Sequence, residues 1–235
     1  MNLLLFAASE RDAQGLVRVD DERFVHLREV IGKGLGDSVR VGEIDGTMGD
    51  AEIVAIEHGH ALLRPHLRIA PPTKLPLTLV LALPRPKMLR RILRTVAELG
   101  VAELHLINSY RVEKSYWQTP VLEAQAIREY LLQGLQQSRD TCLPTIHCQR
   151  RFKPFVEDVL PGLVEGKQAL LAHPGQYPPC PRGLDGQTLL VIGPEGGLIP
   201  YEVEKLQAAG CEAVSLGPRI LRVENAVSGL IGRLF

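Results

Sequence analysis

Two glycine-bearing segments near the C-terminus hold the residues best suited to grip a small ligand. The first, Gly193-Pro194-Glu195-Gly196-Gly197-Leu198, runs directly on from the apolar stretch Thr188-Leu189-Leu190-Val191-Ile192. Glycines at a strand end allow positive φ and a close approach of backbone to ligand, and open α/β sheets bind ligands beyond the carboxyl ends of their strands. A tight strand-to-helix turn would need the same residues. The segment is not G-x-G-x-x-G and no P-loop lysine follows it, which disfavours dinucleotides and nucleoside triphosphates. The second, Gly217-Pro218-Arg219-Ile220-Leu221-Arg222-Val223-Glu224-Asn225-Ala226, follows Ala213–Leu216 in the same manner. Two such strand ends can wall one pocket. Ile220 and Leu221 suit the flat face of adenine, and free backbone amides and carbonyls suit its edge.

Charged residues around these loops admit more than one role. Arg219 and Arg222 could hold an anionic substrate or charge that develops during reaction; surface arginines capping loop carbonyls would look the same. Glu195 could orient the second loop or work beside a substrate, or serve only as a structural loop carboxylate. Glu224 opens the last helix, where the dipole favours a carboxylate, and reads as structural. His173 follows the strand end Leu171-Ala172, where a lone histidine is more often a packing residue. Lys87, Arg90, Arg91 and Arg94 recur at i, i+3, i+4 and i+7, the spacing of one helix face. That face is either a docking stripe for RNA or a solvated surface. Arg85, Arg111, Lys114, Arg139, Arg150 and Arg151 would extend such a stripe, with Tyr110, Tyr116 and Trp117 available for stacking.

Bulk properties narrow the field. Lys+Arg and Asp+Glu both number 27, so the formal net charge is zero and any nucleic-acid binding must come from local patches. Cys142, Cys148, Cys180 and Cys211 form no C-x-x-C pair and no zinc-type spacing with histidine, so no metal site is expected and they read as reduced thiols. The apolar start, Met1 to Ala8, lacks the basic flank of a signal peptide. No stretch approaches the ~20 apolar residues that span a bilayer. A cytoplasmic protein with no membrane partner is the expectation.

The elements that must position these residues fall into two parts. Over residues 1–70, short apolar runs (Ser38–Val41, Ala51–Ile56, Ala61–Leu63) alternate with turn signals, Asp45-Gly46 being a hairpin cue. Only Asp21–Ile31 has helical spacing. This is the pattern of a small β-barrel. Residues 71–76, rich in proline, read as a stiff linker. From residue 77 to 235 strands alternate with helices, which predicts a parallel sheet covered by helices. Strands are expected at Leu77–Leu83, Glu103–Ile107, Ala169–Ala172, Thr188–Ile192 and Ala213–Leu216. Helices are expected at Lys87–Leu99, with Met88 and Leu99 on its buried side, and at Thr119–Ser138, Tyr201–Ala209 and Val223–Phe235.

Together, Ile192–Gly197 and Leu216–Glu224 resemble the paired C-terminal loops of the RsmE family, the 16S rRNA uridine-N3 methyltransferases of the SPOUT class. The resemblance extends along the whole chain through Glu98-Leu99-Gly100-Val101, Gln137-Ser138-Arg139 with Pro144, Leu171-Ala172-His173-Pro174, and His26 with Gly34–Asp37 before Val39-Arg40-Val41. It implies a PUA-like barrel followed by a SPOUT α/β domain with a C-terminal trefoil knot, acting as a homodimer. It also implies S-adenosylmethionine bound by Leu171, His173, Ile192, Gly193, Glu195, Gly196, Gly197, Leu216, Gly217, Pro218, Ile220, Leu221 and Arg222. Arg219, Arg222 and Glu195 become the catalytic candidates. Arg28, Lys33, Lys87, Arg90, Arg91, Arg94 and Arg139 become the contacts to 16S rRNA. Ser228, Gly229 and Gly232 would let the last helix pack closely in a dimer.

The chain departs from the family pattern at three places. Asn225 stands where the family has threonine, and an asparagine nearby is a feature of the SpoU/TrmH branch, which methylates ribose 2′-hydroxyls. The arginine of the family's "VLR" stretch is absent after Val30-Ile31, leaving Arg28 or Lys33 as substitutes. The family's "EQSGR" reads Gln136-Gln137-Ser138-Arg139-Asp140. A different methylated atom, or a non-catalytic RNA-binding or assembly role, therefore stand as alternatives to N3 methylation.

Overall fold

The structure, a computed structural model, describes residues 2–235. The chain divides into two units: residues up to Thr73 together with Leu132–Leu143, and Lys74–Leu131 together with Pro144–Phe235.

The first unit holds a mixed five-stranded sheet in the order β1-β3-β4-β5-β2. Its strands are β1 (Leu4–Phe6), β2 (Val17–Val19), β3 (Ser38–Glu43), β4 (Met48–Glu57) and β5 (His60–Ile69). Alternation of apolar and polar residues puts Leu4, Phe6, Val17, Val19, Val39, Val41, Ala51, Ile53 and Leu63 into one core, joined by Leu27. The β3–β4 hairpin turns at Asp45, whose φ of 59° lies in the left-handed region. A short helix α1 (Glu22–Val25) starts at Asp21, whose side chain accepts from the Arg23 amide, and continues as a wider turn over His26–Val30. Leu132–Leu143 joins this unit although the sequence placed it with the second. The Asp45 carboxylate accepts from the Leu143 amide at 2.8 Å, and the Thr141 hydroxyl donates to the Gly46 carbonyl at 2.5 Å.

The second unit is an all-parallel six-stranded sheet, order β11-β9-β10-β6-β7-β8. Its strands are β6 (Leu75–Ala82), β7 (Val101–Ile107), β8 (Thr145–Gln149), β9 (Gln168–Ala172), β10 (Thr188–Ile192) and β11 (Glu212–Val214). β6 begins inside the expected linker. Pro76 has no N–H to give the ladder, and the register between β6 and β7 shifts between Leu75 and Thr78.

Helix α2 (Pro86–Glu98) starts with proline at its first position and buries Leu89, Ile92, Leu93, Val96 and Ala97. Met88 and Leu99, expected on that buried side, are only half-buried. Helix α3 (Ala124–Ser138) starts later than expected, because Thr119-Pro120 forms a separate 3-10 turn capped by the Thr119 hydroxyl. Two short helices, α4 (Phe152–Pro154) and α5 (Leu160–Val164), together with β8, had no counterpart in the sequence reading. Helix α6 (Pro200–Ala208) and helix α7 (Val223–Leu234) follow the two glycine loops. Val223, Val227, Leu230, Ile231 and Leu234 make the buried stripe of α7, which packs on α2 and β10.

Candidate functional site

The ends of β9, β10 and β11 lie side by side, with Ala172 in register with both Ile192 and Val214. The loops that follow these three strands, together with the start of α2, enclose a cavity of about 810 Å³. That volume is in the range of small-molecule sites, and the position is where a doubly wound sheet places one. His173 and Pro174 supply the first wall, Gly193–Gly197 the second, and Leu216, Gly217 and Arg219–Glu224 the third, with Lys87 and Met88 closing one side.

Each wall is fastened by backbone polar groups. In the Gly193–Gly197 loop, Glu195 accepts from the backbone amide of Arg85 at 3.0 Å, the residue that caps α2. Arg111 donates through Nη1 to the carbonyl of Gly196. A side chain at Gly196 would sit 3.1 Å from Arg111 Cδ and 3.2 Å from its Cβ, so it would press this arginine back by a few tenths of an ångström. Gly197 has φ +73°, a conformation that costs other residues about 1–2 kcal/mol. Just beyond the loop, Glu202 is buried; it accepts from the amides of Ile199 and, at 2.7 Å, Tyr110. Arg111 and Glu202 were missed as positioning residues. Only proline at the first position of α6 followed by an acid hinted at Glu202.

The third wall is tied down by Ser215. Its amide donates to Pro178, its carbonyl accepts from Cys180, and its hydroxyl accepts from the Gly217 amide at 3.1 Å. The segment after Gly217 stands open. Ile220 is 82% exposed and Leu221 41% exposed. Arg219 and Arg222 are exposed, and among the described residues neither makes a side-chain hydrogen bond or ion pair. Both residues line the cavity. His173 is half-buried, edge-on to Tyr177 at 5.9 Å, and burial pushes its pKa down.

Several expected site residues are placed otherwise. Leu171 is fully buried one residue short of the strand end, where alternation turns its side chain into the sheet's packing rather than the cavity. Pro218 lines an adjoining hollow with Tyr177 and Arg233. Lys87, Arg90 and Arg91 stand exposed on α2, but Arg94 lies over the Tyr130 ring at 4.7 Å and donates to the Arg90 carbonyl. Trp117 is buried, with its indole N–H donated to Asn108, so it offers no stacking face; Arg150 covers its ring at 5.4 Å. Arg28 and Arg139 are exposed and Lys33 half-buried, all in the first unit.

Known proteins share both the sequence pattern and this architecture. Residues 71–234 match the family model of the RNA methyltransferase domain. The ribosomal RNA small subunit methyltransferase E of Treponema pallidum is 31% identical over 232 residues, covering 96% of this chain and 87% of the relative. The protein of the same description from Synechocystis is 29% identical, covering 94% and 73%. Among solved structures, a ribosomal RNA small subunit methyltransferase E from Neisseria gonorrhoeae bound to S-adenosyl methionine superposes with TM-score 0.75 at 19% identity, covering 97% and 95%. A probable rRNA-methyltransferase from Porphyromonas gingivalis gives 0.72 at 23%, covering 97% and 94%. At these identities the structures establish a shared fold, and the family match and the Treponema relative establish kinship. The chain belongs to the RNA methyltransferase family, beside the ribosomal RNA small subunit methyltransferases E.

Proposed function

We propose that this protein transfers a methyl group from S-adenosylmethionine to N3 of a uridine in 16S rRNA, acting as a homodimer in the bacterial cytoplasm. The observation that carries the reading is the cavity at the ends of β9, β10 and β11, built from the two loops whose sequence resembles the family's. The cofactor suits its lining. The Gly193–Gly197 and Leu216–Gly217 backbones offer amides and carbonyls for an adenine edge and a ribose, and Met88, Leu216, Ile220, Leu221 and Leu230 offer apolar contact. Ile192 and His173 complete the holding set from the neighbouring strand ends.

When bound, S-adenosylmethionine supplies an electrophilic methyl on a sulfonium. The chain's own work is to align the nucleophile, exclude water and manage the N3 proton. A uridine imide is weakly acidic, so cationic groups that favour its anion lower the barrier. Arg219 and Arg222 are proposed for that role because both line the cavity and, among the described residues, neither side chain has a hydrogen-bond or ion-pair partner. Glu195, already bonded to the Arg85 amide, is proposed to shape the pocket. RNA docking is assigned to Lys87, Arg90 and Arg91 beside the cavity, with Arg94 as a weaker member. On the first unit it falls to Arg28, Lys33 and Arg139, that unit being read as a PUA-like barrel. The trefoil knot is inferred from the family. The dimer reading is supported by uncovered Ile220 and Leu221 and by the exposed Ser228, Gly229 and Gly232 on α7. Among the described residues no helix is long and apolar enough to cross a membrane.

The test has two parts. Calorimetric titration should show S-adenosylmethionine binding, and no binding at millimolar cofactor would overturn the enzyme reading. Nucleoside mass spectrometry of 16S rRNA from a deletion strain should lose N3-methyluridine and regain it on complementation. Its persistence, or loss of a 2′-O-methylated nucleoside instead, would overturn the N3 assignment and turn attention to Asn225.

A further inference from the structure

Apart from the cavity, at the other end of the strand order, three side chains of metal-ligating type converge. Glu103 and His105 are two residues apart on β7 and so share a face of the sheet, and His147 on β8 is in direct register with His105. His105 Nε2 lies 2.9 Å from Glu103 Oε1, and His147 Nε2 lies 3.2 Å from the same oxygen. All three ligand atoms fall within 4.8 Å of one another.

We propose that Glu103, His105 and His147 form a binding site for a divalent transition-metal ion of the zinc class, which clips the edge strand β8 to β7. Zinc bonded at ~2.0–2.2 Å to two imidazoles and a carboxylate in a tetrahedron holds ligand atoms roughly 3.3 Å apart. The two nitrogen–oxygen edges are already near that length. The rings of His105 and His147 are stacked at 4.5 Å, 20° from parallel, so the nitrogen–nitrogen edge needs one ring to turn. The His147 side chain, 41% exposed, is free to do so and leaves the fourth position to water.

The surroundings support a ligating set. Thr78 donates its hydroxyl to Glu103 Oε2 at 3.2 Å, and Lys167 donates to the Thr78 hydroxyl at 2.8 Å, which fixes the carboxylate. His105 is buried against Phe155, and Glu103 is the only hydrogen-bond partner of its ring among the described residues. Burial pushes its pKa down against the pull of Glu103. Among the described residues β8 pairs with β7 alone, so a clip there would pin an otherwise one-sided strand. Sequence spacing gave no hint of this set, because a sheet register, not a short motif, brings residue 147 to residue 105.

The test uses the full chain stripped with chelator, then titrated with cobalt(II), followed in the visible spectrum, and with zinc(II) against a chromophoric chelator. One zinc per chain, intense tetrahedral cobalt bands and a melting temperature raised by zinc are expected. H147A and E103Q should each weaken zinc binding at least about tenfold, with circular dichroism and S-adenosylmethionine affinity unchanged. If H147A fails to fold, H147Q, which keeps a polar side chain of similar reach but ligates poorly, replaces it. Absence of zinc uptake at submillimolar metal, or undiminished binding in both variants, would overturn the proposal. Either result is separable from failure of the methyltransferase reading, which cofactor titration reports by itself.

Discussion

Glu195 allows a decisive perturbation, because the structure gives it a partner that a catalytic role would not need. Its carboxylate accepts from the Arg85 amide at 3.0 Å and so joins the Gly193–Gly197 loop to the start of α2. The side chain is exposed and solvent-screened, so the net value of an ordinary intramolecular hydrogen bond applies, about 1 kcal/mol, or roughly fivefold in an equilibrium constant. Glu195→Gln keeps an acceptor oxygen at the same reach, whereas Glu195→Ala removes it. S-adenosylmethionine affinity measured by calorimetry should therefore fall about fivefold in the alanine variant and stay within about twofold in the glutamine variant. Single-turnover methyl transfer with saturating cofactor should be nearly equal in glutamine variant and wild type. If Glu195→Gln instead lowers the chemical rate by the ~10²-fold or more typical of a lost proton-transfer group while cofactor affinity holds, the clamp argument is wrong and Glu195 handles the substrate proton.

Three further outcomes are expected. Arg222→Ala should lower turnover by about 10²-fold, the scale of one lost stabilising donor, with little change in S-adenosylmethionine affinity; equal losses in both would make it a cofactor-binding residue. Arg139 has φ +60° where the family pattern has glycine, and Arg139→Gly should raise stability by ~0.5–1 kcal/mol in urea melts, since relief of the left-handed strain exceeds the added chain entropy; a lower midpoint would contradict this. His173 has its pKa lowered by burial, so the unfolded chain takes up the proton first as pH falls below about 6.5. Stability should drop through that range and level off once the folded ring also protonates, and His173→Gln should flatten that part of the pH–stability curve.

The sequence by itself determined the parts of this protein that depend on local chemistry. Continuous apolar runs such as Thr188–Ile192 announced buried parallel strands, helical spacing announced α2 and α7, and glycine loops behind two strands announced the cavity. Even the Asp45 turn was legible, because it follows from residue type over a few positions. What lay beyond reach was everything set by long-range pairing. β8 is short and half-exposed, so it carries little hydrophobic signal, and only its register with β7 makes it a strand. Arg111 looked like a spare surface cation until the fold laid it against Gly196, and Trp117 looked available for stacking until its indole found Asn108. Glu202 and Tyr110, far apart in the chain, meet only because α6 and the end of β7 are brought together. Local propensity and periodicity are written in neighbouring residues, whereas a contact between distant ones exists only after the sheet order has been chosen.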